Sequence, residues 1–380
     1  MKHYFKFLAL LLVLSSSCIS KSSKTLLFVG SFTEGEPSDG IHVYDFDEAS
    51  GELLLVAKMD SLINPSFLKI APSGDYLYAV LESQLPTHGK IASFAVDSLS
   101  SKLDFLNSQD AGGRNPAHIA IHPKGNYLVN SNYTDAGISL FEIQTDGSLS
   151  PPLQHLAFKD SSIVKGRQDE AHLHSTNFSP DGGFLFGQDL GADKIRRFKV
   201  NESGAGNVEL SELTAVKVKP GSGPRHFTFH SNGMFGYGVS ELSGTITVYK
   251  YINGDLVFLE EHQSYATEQE IYRAADIHIS PDGKFLYASN RRPKEDSMAI
   301  FSIDQEMGKL LLIGHEPTYG THPRNFCIDP SGNFLLVANQ FSDKVMVFRR
   351  NQDTGELRKL EYELAIDNPS SLQMYTYNAY

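Results

Sequence analysis

The stretch "SPDGKFLYAS" at residues 280–289 joins a tight turn to a run in which apolar and small residues alternate. Proline sets φ for the first turn position, aspartate tolerates the second, and glycine accepts the positive φ that the turn requires. The alternation that follows is typical of a β-strand. The stretch therefore predicts a β-hairpin, and its meaning for the whole chain depends on whether it recurs.

Five related stretches occur along the chain: "APSGDYLYAV" (71–80), "HPKGNYLVNS" (122–131), "SPDGGFLFGQ" (179–188), "HSNGMFGYGV" (230–239) and "DPSGNFLLVA" (329–338). The turn glycines of the six copies are separated by 51, 57, 51, 50 and 49 residues. A second element, such as "ITVYKY" at 246–251, follows each copy, and one more such element near the N-terminus brings their number to seven. The chain is therefore an array of similar units.

Each unit reads as four antiparallel strands with almost no helical periodicity. Four-stranded repeats of this length are typical of propeller blades, so we expect an all-β fold, a seven-bladed β-propeller. Residues 25–380 then form a single domain, because each blade buries its faces only against its neighbours. The first repeat lacks its innermost strand, and the segment from Leu357 to Leu364 or beyond is a candidate to close the ring. A pair of β-sandwiches or a β-solenoid is the alternative.

The composition limits the possible partners. The chain has 380 residues and a formal net charge of -12, and it contains no basic block, so we expect no nucleic-acid partner. Tryptophan is absent, which argues against propellers built on a repeated Trp-Asp pair. Cys327 lies in an alternating apolar run, where we interpret it as a buried hydrophobic residue.

The N-terminus reads "MKHYFKFLALLLVLSSSCIS", with a short positive region and an apolar stretch too short to span a bilayer permanently. We interpret residues 1–17 as a signal peptide, Cys18 as a lipidated first residue, and 18–24 as a tether. Ser15 stands where lipoprotein signals usually have leucine, so an ordinary signal peptide is the alternative. This reading predicts an exported, periplasmic or membrane-anchored bacterial lipoprotein that touches membrane only through its lipid.

Propeller topology brings distant polar residues together. The start of the first strand and the end of the second lie on one face of the disc, opposite the Pro-x-Gly turns. We expect these residues to surround one mouth of the central channel, among them Asn132, His172, His174, Arg225, His226, Glu241, Asp276, His278, Asn290, Arg291 and Arg324. Arg225 and Glu241, at opposite ends of one hairpin, should meet there.

Structural roles are the competing interpretation for several of these residues. His118, His226 and His278 recur at similar places, where a histidine can simply bond to a neighbouring blade. Arg225 and Glu241 can form a buried salt bridge without further function. His172 and His174 face the same side of a strand and could bind a metal. No matching ligand pair stands nearby, so we expect no metal site and no cofactor, and no Gly-x-Ser-x-Gly motif supports a serine nucleophile.

These segments resemble those of the seven-bladed propeller lactonases of the 6-phosphogluconolactonase type, a family related to the carboxymuconate cyclases. The resemblance spans most of the chain and rests on "AHLHSTNFSPDGGFLFGQDLGADKI", "GSGPRHFTFHSNGMFGYGVSELSGTITVY", "DIHISPDGKFLYASNRR" and "HPRNFCIDPSGNFLLVANQFSDKVMVF". It implies a metal-independent lactone hydrolase with His174, Arg225 and Glu241 as catalytic residues. Arg291 and Arg324 compete for the role of a second arginine. The candidate substrate-binding residues are Arg291, Arg324, His172, His226, Asn132 and Asn290.

The substrate implied is a small lactone, anionic or sugar-derived. Phosphorylated gluconolactone belongs to the cytoplasm, which is the alternative location, whereas an exported enzyme would meet unphosphorylated or uronic-acid-derived lactones. Two other functions stay open from the sequence. One is a non-catalytic surface lipoprotein that binds carbohydrate or a protein partner, and the other is a lactone cycloisomerase acting in the same pocket.

Replacement of Cys18 by serine tests the lipid anchor. The thiol is the acylated group in the lipoprotein interpretation, so Cys18→Ser should move the protein from the membrane fraction to the soluble fraction of its host. Immunoblots of the two fractions measure the distribution, with Cys327→Ser as the matched control. Retention of Cys18→Ser in the membrane fraction would exclude lipidation at this residue.

Overall fold

A computed structural model of the protein describes residues 23–203 and 208–378. These residues form seven antiparallel sheets of four strands each. The inner strands of successive blades contact one another around a ring, and the last strand of the chain contacts the inner strands of both blade 7 and blade 2. The predicted seven-bladed β-propeller is confirmed. The predicted signal peptide, Cys18 and most of the tether lie outside the described residues.

The strands are as follows, blade by blade. Blade 1 has β1 Lys24–Ser31, β2 Ile41–Phe46 and β3 Leu53–Met59, together with the last strand of the chain, and blade 2 has β4 Phe67–Ile70, β5 Tyr76–Leu81, β6 His88–Asp97 and β7 Lys102–Arg114. Blade 3 has β8 Pro116–Ile121, β9 Tyr127–Asn132, β10 Gly137–Glu142 and β11 Gln154–Ala157, and blade 4 has β12 Leu173–Phe178, β13 Phe184–Asp189, β14 Lys194–Glu202 and β15 Val208–Lys217.

Blades 5 to 7 follow the same plan. Blade 5 has β16 Pro224–Phe229, β17 Phe235–Ser240, β18 Thr245–Ile252 and β19 Asp255–Gln263, and blade 6 has β20 Ile277–Ile279, β21 Phe285–Asn290, β22 Ser297–Ile303 and β23 Leu310–Pro317. Blade 7 has β24 Pro323–Ile328, β25 Phe334–Asn339, β26 Lys344–Arg350 and β27 Leu357–Ala365, and β28 Pro369–Tyr377 ends the chain. A 3-10 helix covers Gln340–Ser342, and no helix of the described residues is long and apolar enough to cross a membrane.

The ring is closed by β28, which pairs with β1 as the innermost strand of blade 1. The expectation that the closing segment begins at Leu357 was therefore wrong. Residues Leu357–Leu364 lie in β27, the outer strand of blade 7, and the segment beyond them closes the ring. The strand β1 begins at Lys24, which pairs with Tyr377, so the last residue of the predicted tether already belongs to the propeller.

The recurring turn is built as the sequence predicts. In blade 6 the amide of Gly283 donates to the carbonyl of Ser280 at 2.8 Å, and Gly283 has φ +73. A residue with a Cβ rarely adopts this backbone conformation, which explains glycine at this position of the hairpin.

Adjacent blades are held by apolar packing and a repeated tyrosine contact. Tyr78, Tyr237 and Tyr287 are fully buried, each on the second strand of its blade. Each hydroxyl donates to a glycine carbonyl in the outer hairpin of the next blade; for Tyr287 the acceptor is Gly355, at 2.7 Å. The aromatic position of the repeat therefore fixes the spacing between blades while it fills the space between them.

Candidate active site

A cavity of about 180 Å³ lies at the mouth of the channel where the innermost strands begin. Its wall is almost entirely polar: Gln84, Asn115, Ala117, Tyr133, Arg167, His174, Arg225, Glu241, Arg291 and Arg324. Five of the residues singled out from the sequence thus converge on one cavity: His174, Arg225, Glu241, Arg291 and Arg324.

Three of these side chains stand on β-bulges at the same place in the repeat. The register of the innermost strand shifts by one residue at His174 in blade 4, at Arg225 in blade 5 and at Arg324 in blade 7. A bulge leaves one residue unpaired and redirects its side chain. Blade 3 has the same bulge at Ala117, whose small side chain lines the cavity without filling it.

Glu241 lies at the centre of the charged residues. Its Oε2 accepts from Arg225 Nε at 3.1 Å and from Arg291 Nη2 at 2.9 Å, and its Oε1 accepts from Arg167 Nη2 at 2.6 Å. Burial alone would raise the pKa of Glu241, but the charges of Arg291, Arg225 and Arg167 outweigh it and hold that pKa far below its usual value. The carboxylate is therefore ionised at neutral pH.

Arg225 and Arg291 are each fixed by further contacts. Arg225 is 1% exposed and also donates to the carbonyl of Ala275 in the next blade. Arg291 donates from Nε to the carbonyl of Arg273 at 2.7 Å, and its Nη1 lies 3.1 Å from His322 Nε2. Both guanidiniums are thus held in one orientation before any ligand arrives.

Arg167 belongs to the site, although the sequence analysis did not identify it. It lies in the segment between β11 and β12, which makes the interval from Gly125 to Gly182 57 residues long, against 49 to 51 elsewhere. The extra residues carry this guanidinium over the mouth to Glu241. The unequal repeat interval was the available signal, because an insertion into a regular array falls in a loop on one face.

His322 was also missed. Its Nε2 faces Arg291 Nη1, and its ring stacks on Phe341 at 4.1 Å between centroids. Burial and the charge of Arg291 lower the pKa of His322 to about 2, so the ring is a neutral acceptor that orients Arg291. No feature of the sequence marked this histidine as a site residue, because His122 also precedes a proline.

Arg324 differs from the other three arginines. Its guanidinium lies over the Phe32 ring, 5.1 Å from the centroid, and no carboxylate of the described residues forms an ion pair with it. Burial, followed by the positive charge of Arg291, lowers the pKa of Arg324 to about 10, so it stays charged at neutral pH. The cavity therefore holds four guanidiniums and one carboxylate, an excess of positive charge in a chain whose net charge is -12.

His174 presents a neutral imidazole to this positive cavity. It is 7% exposed, and its Nδ1 is buried without a hydrogen-bond partner among the described residues, which leaves Nε2 as the nitrogen available to the cavity. Burial and the charge of Arg225 lower the pKa of His174 well below its usual value. The ring is thus a free base over the whole neutral range.

The remaining predicted site residues lie outside the cavity wall. His172 stacks on Tyr133 at 4.3 Å, with Nδ1 bonded to the Tyr133 carbonyl, so it supports a wall residue. The amides of Asn132 and Asn290 are fully buried and bond to the backbone carbonyls of Ala111 and Ser264. The amide of Asn132 thus joins blade 3 to the outer strand of blade 2, and the amide of Asn290 joins blade 6 to the residue after the outer strand of blade 5, so both asparagines have structural contacts outside the cavity wall.

His226, which we expected at the mouth, does not line the mouth cavity. It follows Arg225 directly, but on the other side of the bulge, and its Nδ1 lies 2.7 Å from Asp276 Oδ1, deeper in the channel. Among the described residues, no group of three or more His, Cys, Asp or Glu side chains is placed to hold a metal ion.

Comparisons with known proteins identify the family of the chain. The family model described as "Lactonase, 7-bladed beta-propeller" matches residues 26–374. A Formosa agariphila protein named 6-phosphogluconolactonase is 57% identical over 352 residues, which cover 93% of this chain and 100% of that protein. A Bacillus subtilis protein of the same name is 29% identical and covers 91% of this chain and 97% of its own. The structure of a periplasmic gluconolactonase from Pseudomonas aeruginosa has a TM-score of 0.86 and 34% identity, covering 93% of this chain and 99% of that one.

Glu241→Gln should destabilise the fold. Loss of the charge leaves three guanidiniums facing one another, and removal of one partner from a buried ion pair typically costs about 3–5 kcal/mol. Urea unfolding followed by circular dichroism measures this loss. Because the folded-state pKa of Glu241 is lowered, its contribution is present above the unfolded value of about 4.3 and is lost as the pH falls below it.

Glu363→Gln is the matched control, because its ion pair with Lys344 is exposed and should be worth less than about 1 kcal/mol. Equal stability of the wild type and Glu241→Gln at pH 7 would show that the carboxylate is not needed to hold the arginines.

Proposed function

Because this chain belongs to the family of seven-bladed β-propeller lactonases and is a lactone hydrolase, we propose that it opens an anionic, sugar-derived lactone in the mouth cavity with His174 as general base. The convergence of one neutral imidazole and four guanidiniums on a single cavity carries this proposal. The chemistry needs an activated water, a stabilised oxyanion and a proton for the departing alkoxide, and the cavity offers a group for each.

His174 is assigned to the attacking water. Its Nε2 accepts one proton from water while the oxygen forms its bond to the lactone carbonyl carbon. When the ring C–O bond breaks, the imidazolium returns a proton to the alkoxide, which becomes the free hydroxyl of the product. The lowered pKa of His174 keeps this base unprotonated at neutral pH.

Arg225 is assigned to the oxyanion. Its Nε and one Nη are already bonded to Glu241 and Ala275, so the guanidinium is held for a ligand at its remaining edge. A preorganised donor of this kind contributes roughly 3–4 kcal/mol to the transition state. Glu241 orients Arg225 and Arg291 and does not donate a proton, because an ionised carboxylate has none to give.

Arg324 and Arg291 are assigned to the anionic group of the substrate. A guanidinium binds carboxylate or phosphate through paired hydrogen bonds. Arg324, which forms no ion pair within the described chain, is the one whose charge a ligand would neutralise. Relatives named 6-phosphogluconolactonase support a phosphorylated lactone, whereas the periplasmic gluconolactonase from Pseudomonas supports an unphosphorylated one. We favour the anionic class because of the excess positive charge.

We also propose that residues 1–17 direct export and that Cys18 anchors the mature protein. The support is the N-terminal sequence pattern, together with a periplasmic protein among the structural relatives. An exported enzyme would act on lactones outside the cytoplasm, where a carboxylate of a uronic-acid-derived lactone can take the place of a phosphate.

His174→Gln should lower kcat about 10²–10⁴-fold, because glutamine keeps the size and polarity of the ring but is not a base. The assay is pH-stat titration of the acid released from a lactone. The wild-type kcat/KM should also stay level from pH 8 to below pH 6.5, since the pKa of His174 is lowered. His230→Gln, a buried histidine at the opposite face of the disc, is the control that should retain activity. A fully active His174→Gln would end the assignment.

Arg324→Ala should raise KM for 6-phosphogluconolactone about 10- to 100-fold, because this factor corresponds to the free energy of a hydrogen bond to a charged group. The KM for neutral gluconolactone should change much less. Arg358→Ala, on an exposed position of β27, removes the same charge without touching the cavity. Equal kcat/KM of the wild type for the two lactones would contradict an anionic substrate. Failure to open either lactone faster than buffer would contradict the hydrolase itself.

A further inference from the structure

A further cavity, of about 270 Å³, lies beside the candidate active site. Its lining includes four carboxamide side chains and two apolar ones, and we call it the amide pocket: Asn64, Gln84, Gln340, Asn368, Phe32 and Leu85. The lactone mechanism gives none of these side chains a chemical role. The pocket therefore needs an account of its own.

The amide pocket and the mouth cavity are adjacent. Gln84 lines both of them. Its backbone amide donates to Oδ1 of Asn115, which also lines the mouth cavity, at 3.2 Å. The Arg324 guanidinium, in the wall of the mouth cavity, lies over the ring of Phe32, in the wall of the amide pocket. A molecule that fills the mouth cavity can therefore continue across Gln84 into the amide pocket.

The amide pocket is built from the same positions of the repeat as the candidate active site, but in other blades. Gln340 directly follows the second strand of blade 7, as Glu241 follows that of blade 5 and Arg291 that of blade 6. Asn368 directly precedes the innermost strand of blade 1, as Asn115 precedes that of blade 3. These positions therefore present charged groups to the mouth cavity and neutral amides to the amide pocket.

Gln340 has unused hydrogen-bonding capacity. The residue is 7% exposed, and its Oε1 is buried without a hydrogen-bond partner among the described residues. A buried polar atom that lacks a partner calls for an explanation. The terminal torsion of glutamine is broad, so the amide group can turn its oxygen or its nitrogen towards a ligand. A ligand hydroxyl can bond to either atom.

Asn368 is held by its backbone, and its side chain lines the pocket. Its amide donates to Asp343 Oδ1 at 2.9 Å, and its carbonyl accepts from the amide of Phe32 at 3.1 Å. These bonds fix the position from which the side-chain amide faces the pocket. Asn368 is therefore a second carboxamide available to a ligand.

Asn64 differs from the other three carboxamides, because its side chain is fully used within the protein. Its Oδ1 accepts from the amides of Thr33 at 2.7 Å and Gly35 at 3.2 Å, and its Nδ2 donates to the carbonyl of Ser83 at 2.7 Å. Asn64 therefore holds the loop that forms one wall of the pocket and is a positioning residue.

The charge of the pocket also differs from that of the mouth cavity. Glu34, which is exposed, is the one charged residue that the described chain contributes to its lining. A carboxylate without a nearby cation disfavours an anionic ligand. Carboxamides both donate and accept hydrogen bonds, as sugar hydroxyls do, while Phe32 and Leu85 offer apolar surface to the C–H groups of a sugar ring. The lining therefore fits a neutral ring that is rich in hydroxyl groups.

We propose that the amide pocket is a subsite for a neutral sugar unit and that the substrate is a lactone that carries a glycosyl group. The lactone ring lies in the mouth cavity beside His174 and Arg225, and the glycosyl unit lies across Gln84 in the amide pocket. An anionic group on the lactone still faces Arg291 and Arg324. The subsite rests on the proposed function, because it is defined by a lactone bound next to it.

The experiment compares kcat/KM for glucono-1,5-lactone with that for cellobiono-1,5-lactone and gentiobiono-1,5-lactone, which carry a glucose unit on O4 or O6 of the same ring. All three lactones are neutral, so the comparison does not depend on an anionic group. The wild type should prefer at least one of the disaccharide lactones about tenfold or more, because two or three neutral hydrogen bonds together contribute about this factor. The assay is pH-stat titration of the released acid.

Gln340→Ala and Asn368→Gly should each lower this preference about threefold to tenfold, through KM for the disaccharide lactone and not through kcat. Each change removes one carboxamide that contacts the glycosyl unit. Asn368 has φ +42, so glycine keeps its backbone conformation, and this variant carries the test if Gln340→Ala does not fold. Gln144→Ala is the matched control, because Gln144 is exposed between β10 and β11 and lines neither cavity.

Two results would overturn the subsite. One is a wild type that opens glucono-1,5-lactone or its 6-phosphate but prefers neither disaccharide lactone to glucono-1,5-lactone. The other is an equal loss of kcat/KM for all three neutral lactones in both pocket variants. A wild type that opens no lactone at all would instead show failure of the proposed function.

Discussion

The pairing of β28 with β1 holds the propeller together. Each blade is a four-stranded sheet whose two faces are covered only by its neighbours, so a ring with a gap would expose two apolar faces to water. The last strand of the chain completes the first blade and removes that gap. The central channel and its mouth cavity exist only because the ring is closed.

The closed ring turns a repeated sequence into a non-repeated site. The innermost strands present equivalent positions around the mouth, and a bulge in four blades aims one side chain from each into it. Those residues are alanine, histidine and two arginines, one in each of blades 3, 4, 5 and 7. The backbone is thus regular, and the blades differ in the side chain that each bulge presents to the mouth.

The cluster of charges at the mouth follows one electrostatic rule. A buried guanidinium is costly unless a carboxylate compensates for it. Glu241 compensates in part for Arg167, Arg225 and Arg291, and Arg324 has no carboxylate partner among the described residues, so the cavity keeps an excess of positive charge.

The sequence by itself determined the repeat and the blade count, because turn glycines and alternating strands are local features whose spacing is visible in the chain. It placed His174, Arg225 and Glu241 at one mouth, but it wrongly expected His226, Asp276 and His278 there too, since these three line the channel on the side of the turns. It also predicted the meeting of Arg225 and Glu241, since a hairpin brings its two ends together. Only the tertiary structure placed Arg167 over the mouth, separated His226 from Arg225 and buried Asn132 and Asn290 where they join neighbouring blades. The physical reason is that a bulge shifts the strand register by a single residue and so decides which way a side chain points, and the sequence pattern carries no mark of that shift.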